Sequence, residues 1–138
     1  MARAGVEGRV QLRQGLRRFT KDTLVEQRKD VVETAKVAAV LAEATGKDVI
    51  WHTPSSLSHE PKDNRVWTGK MVDAFSADVT PVGNRVTVRW GWIDKKKKYF
   101  LIQEYGGQAF GKTVTPMFAL AQTQTVVKNY LHSKGIET

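Results

Sequence analysis

An α+β fold is predicted by three stretches of this chain. Residues 20–45 carry an alanine-rich stripe at helical spacing, residues 85–92 alternate between polar and apolar side chains, and residues 115–131 read as a proline-led helix. The expected architecture is a long N-terminal helix, a small antiparallel β-sheet with a hairpin, a short middle helix, and a C-terminal helix packed on the sheet. A length of 138 residues fits a single domain.

Each element has its own signal. In RVQLRQGLRRF, Arg9, Arg13 and Arg17 recur every four residues, and Leu12, Leu16 and Phe19 form a second row, which reads as an amphipathic helix. Gly15 weakens that stretch, so residues 1–19 are set apart as a basic arm that frays or orders on contact. From Thr20 the signal strengthens: Leu24, Val31, Ala35, Ala38 and Ala42 follow three-four spacing, and Gly46 reads as the C-terminal stop. Val49 to Trp51 suggests a short extended piece. The prolines, serines and charges of 52–66 suggest a long loop.

TGKMVDAF resembles a short helix with Thr68 near its cap and Met71 and Phe75 buried together. Val86, Val88, Trp90 and Trp92 then alternate with Arg85, Thr87, Arg89 and Gly91, after a turn of Pro81, Gly83 and Asn84. Ala77 and Val79 line the same buried face of the preceding strand, giving a hairpin. Asp94 to Lys98 reads as a second turn, and Tyr99 to Tyr105 as either strand or helix. Thr115 and Pro116 supply a cap and a first helical residue. Met117, Leu120, Ala121, Val127 and Leu131 share one side, and Gly135 closes the helix.

Composition narrows the function. The net charge of +8 favours nucleic acid, an acidic protein surface or anionic lipid as a partner. Without cysteine there are no disulfides, thiolate metal sites or thiol nucleophiles. No apolar run reaches membrane-span length and the start lacks a secretion signal, so a soluble, non-secreted protein is expected, with no membrane partner. Three histidines, His52, His59 and His132, lack metal-ligand spacing. Neither a carboxylate pair nor a nucleophile elbow is visible. No catalytic residue, cofactor or metal is expected, and the chain is not read as an enzyme.

One string argues otherwise. GGQAFGKT, at 106–113, fits the phosphate-binding pattern G-x-x-x-x-G-K-[ST]. Such a loop needs a helix that begins at its Gly-Lys-Thr end, so that further amides point at the anion. Here Pro116 follows within the first turn, where it removes a donor. The hairpin-connected strands also argue against the parallel sheet this loop requires. The match is therefore read as a glycine-rich turn.

The basic candidates are Arg9, Arg13, Arg17 and Arg18 in the arm and the run Lys95, Lys96, Lys97 and Lys98. They read either as solvated charge or as contacts to DNA phosphate or an acidic neighbour. Trp90 and Trp92 belong with the valines of the core, while Trp51 and Trp67 flank the loop and are interface candidates.

Three segments in order carry a resemblance. WTGKMVDAF follows a long helix and a loop; YFLIQEYGG follows the hairpin; TPMFALA opens the last helix. This order resembles the tail-completion, or neck, protein family of long-tailed bacteriophages, over roughly residues 20 to 132. The matching positions are Thr68, Gly69 and Met71, then Glu104, Tyr105 and Gly106, then Pro116, Met117 and Phe118. Ala119 and Leu120 stand where the family often has an arginine and a second proline, and the HEPKDN-containing loop departs from the pattern.

The resemblance implies a structural virion protein that completes the head–tail junction as a homo-oligomeric ring. A hexamer is favoured and a dodecamer is the alternative. Its partners would be copies of itself, adjoining neck and tail proteins, and genomic DNA in the channel. It also implies that QAFGKTV is a flexible connection, and that Glu104 and Tyr105 lie at a subunit contact. Glu104 reads either as facing water or as paired with an arginine or a backbone donor. The alternative function is a small basic DNA-binding protein.

Overall fold

The computed structural model describes residues 6–13, 21–54, 65, 69–82, 85–93, 98–109, 111–136 and 138. In chain order the elements are β1 (Val6–Arg13), α1 (Lys21–His52), α2 (Lys70–Ala74), β2 (Ser76–Val82), β3 (Arg85–Trp92), α3 (Lys98–Tyr105), β4 (Gly107–Ala109), β5 (Lys112–Val114) and α4 (Ala119–Ser133). The predicted α+β class holds, with a long first helix, a three-stranded antiparallel sheet, short helices and a C-terminal helix packed on the sheet.

The first stretch is a strand, not a helix. VEGRVQLR alternates: Val6, Val10 and Leu12 are buried, while Arg9 and Gln11 are exposed. A four-residue arginine spacing satisfies a period of two as well as one of 3.6, so the spacing alone misread the element. Gly8 completes the inner row, because a Cβ there would strike the Trp90 indole. β1 pairs antiparallel with β3, Val10 facing Val88 and Leu12 facing Val86. β2 pairs with the other edge of β3, so the order is β1-β3-β2.

The helix α1 runs on past Gly46, through the stretch expected to be extended. Gly46 is not a stop. A Cβ at that position would occupy the Phe75 ring, so the missing side chain makes room for an aromatic against the helix backbone. Ala35, Ala38 and Ala42 are fully buried, as their spacing predicts. The end comes at His52, where Thr53 donates to the Val49 carbonyl at 2.6 Å and Pro54 forbids a further turn.

Between helix and sheet sits an aromatic column. Phe75 meets Trp92 edge-on at 5.2 Å, and Phe100 stacks on Trp92 at 5.6 Å. Both buried indoles also find acceptors, as buried tryptophans require. Trp92 Nε1 donates to the Met71 carbonyl at 2.8 Å, and Trp90 Nε1 to that of Leu120 at 3.1 Å. Met71 and Phe75 are buried together, as expected.

Residues 99–105 resolve as helix. Phe100, Gln103 and Glu104 face inward, while Leu101 and Tyr105 face outward. Lys98 opens this helix instead of ending a turn. The C-terminal helix starts at Ala119, three residues beyond the predicted Pro116. Its inner row is Ala119, Leu120, Thr123, Val127 and Leu131; Ala121, placed in that row by the sequence, is exposed. Gly135 closes the element at φ +74°, with the Ile136 amide returning to the Leu131 carbonyl at 3.0 Å.

Candidate interaction surfaces

The start of α4 is built from a distance. Residues 115–118 do not form a helical turn: Pro116 has no amide to give, and the amides of Met117 and Phe118 are taken by α3. Met117 donates to the Gln103 carbonyl at 2.9 Å and Phe118 to that of Glu104 at 3.1 Å. The next two amides meet the Glu104 carboxylate: Ala119 N–H reaches Oε1 at 2.7 Å and Leu120 N–H reaches Oε2 at 2.9 Å. Four consecutive donors that a helix start leaves unmet are thus satisfied by two neighbouring residues of another helix. Glu104 is not solvated. Its backbone donors lie in its own chain, and its side chain is interior.

Burial sets the electrostatics there. It pushes the Glu104 carboxyl from its ordinary 4.5 up to about 7, against the opposing pull of the Leu120 and Ala119 amides. The neighbouring Tyr105 hydroxyl is raised too, by burial first and by the Glu104 charge second.

Arg65 was missed by the sequence reading. It is almost wholly buried, and its guanidinium donates to Gln103 Oε1 at 2.6 Å, the Thr115 carbonyl at 2.9 Å and the Pro54 carbonyl at 2.8 Å. Its own amide caps the Ile50 carbonyl of α1 at 2.9 Å. One residue therefore joins the end of α1, the middle of α3 and the approach to α4. No local spacing announces this, since Arg65 stood among the charges of an expected loop.

The GGQAFGKT string is a hairpin. β4 and β5 pair antiparallel, Gly107 with Val114 and Ala109 with Lys112, and Gly111 turns at φ +72°. Gln108 Nε2 donates to Thr113 Oγ1 across the pair at 2.9 Å. Lys112 lies on a strand paired with β4, and no helix begins there. The expected flexible connection is thus an ordered hairpin among the described residues.

The sheet's outer face carries charge. Asp78 accepts from Arg89 through both oxygens, with Nε to Oδ1 at 2.9 Å. Glu7 accepts from Arg9 at 2.9 Å and lies 3.6 Å from Arg89. The register sets Arg9 opposite Arg89 and Arg13 opposite Arg85. Like charges directly opposite are unfavourable. Arg9 thus lies on an exposed strand face, not the predicted helix face, and Arg13 pairs opposite Arg85 at the end of the same strand; Arg17, Arg18 and Lys95 to Lys97 lie outside the described residues, as does Trp67.

Among the described residues, large apolar side chains stand in solvent on α1 and around α3. On α1, Val37 is 52% exposed and Val40 72%, with Trp51 half exposed at the helix end. The second patch joins Leu101 and Tyr105, one turn apart on α3, to Phe118, whose amide bonds the residue before Tyr105. Phe118 holds a left-handed backbone at φ 53°, costly for a residue with a side chain.

Among the described residues, no three His, Cys, Asp or Glu side chains gather as metal ligands, and no helix is long and apolar enough to cross a membrane. Compared with protein-family models, curated proteins and solved structures, the chain matches none.

Proposed function

We propose that this chain is a structural subunit of a phage neck or tail, completing the head–tail junction as a ring of identical copies. The observation that carries the reading is the ordered set of segments around Gly69 to Phe75, Glu104 to Gly106 and Pro116 to Phe118. Further support comes from the exposed valines and aromatics, which a lone subunit has no folding reason to display. A ring must use head-to-tail contacts that close, because those that do not close make filaments. Six-fold symmetry is favoured, and twelve-fold is the alternative. Adjoining neck and tail proteins would stack on the ring, and the basic stretches would meet channel DNA or acidic partners. The site of action would be the virion.

Electron microscopy tests this on two samples, the concentrated protein and the particles with which it copurifies. Closed rings, or a collar of density at the neck, are expected. Particles lacking the chain that still join heads to tails would refute the reading.

A second reading, duplex DNA binding by a single subunit, draws on the net charge of +8 and on Arg9 and Arg89 of the sheet's outer face. It expects affinity that falls steeply with salt, roughly in proportion to the phosphates neutralised. Weak binding with no salt slope would reject it.

A further inference from the structure

We draw no further inference here: the strongest candidate, the exposed apolar surface patch of Leu101 and Tyr105 on α3 with Phe118 at the approach to α4, carries nothing because nothing in the structure shows what covers it.

Discussion

Glu104 shows how much one side chain decides. Its carboxylate caps a helix fifteen residues downstream, against the cost of burial. The pKa shift fixes the sign of a pH effect. The folded value near 7 lies above the ordinary 4.5, so between those limits the folded chain holds a proton that the unfolded chain releases. The group's contribution to stability is therefore fully present below about pH 4.5 and lost as pH rises through about 7. Thermal midpoints of the parent protein should carry a component that falls between pH 5 and 8, and Glu104→Gln should flatten it. Glu104→Ala should cost about 1–3 kcal/mol in urea melts at any pH, from the lost cap and the orphaned amides.

Gly46 makes the opposite case, a residue whose role is absence. In an open helix, Gly→Ala gains about 1 kcal/mol. Here the added methyl meets Phe75, so Gly46→Ala should instead destabilise by about 1–3 kcal/mol. The double variant with Phe75→Leu should recover part of that loss. If Gly46→Ala alone raises the melting midpoint, the packing account is wrong.

At the scale of elements, the hairpin β4–β5 carries a string of the phosphate-loop pattern without the helix that such a loop places at its Gly-Lys-Thr end. Its two strands pair antiparallel, and the following helix starts at Ala119, beyond the reach of the motif. Calorimetric titration with magnesium-ATP should show no binding; micromolar affinity lost on Lys112→Ala would overturn this reading. The strand β1 teaches a related lesson. Its arginines repeat at an interval that both periodicities accept, and the alternation of Val6, Gly8, Val10 and Leu12 was hidden by the glycine. By contrast, β3 was legible because bulky residues filled every inward position.

For the whole molecule, Arg65 is the joint. Its donors hold α3 and the approach to α4, while its amide finishes α1. Each orphaned acceptor costs about 1–3 kcal/mol. Because such costs overlap, Arg65→Ala should lose about 3–5 kcal/mol in denaturant melts and loosen all three elements together. Hydrogen exchange should register this as faster exchange at Met117 to Leu120 as well as near Ile50. Exchange confined to one of those regions would show that the joint is local.

The sequence by itself determined whatever rests on a local period: the alanine face of α1, the alternation of β3, the burial of Met71 with Phe75, and the α+β class. Hydrophobic burial writes these patterns directly into neighbouring residues. Only the tertiary structure decided the rest. Whether Gly46 stops a helix or accepts a ring depends on Phe75. Where α4 begins depends on a carboxylate in α3, and whether Arg65 is solvent or core depends on oxygen acceptors from three separate segments, at Pro54, Gln103 and Thr115. Such interactions span the chain, so no window of consecutive residues contains both partners.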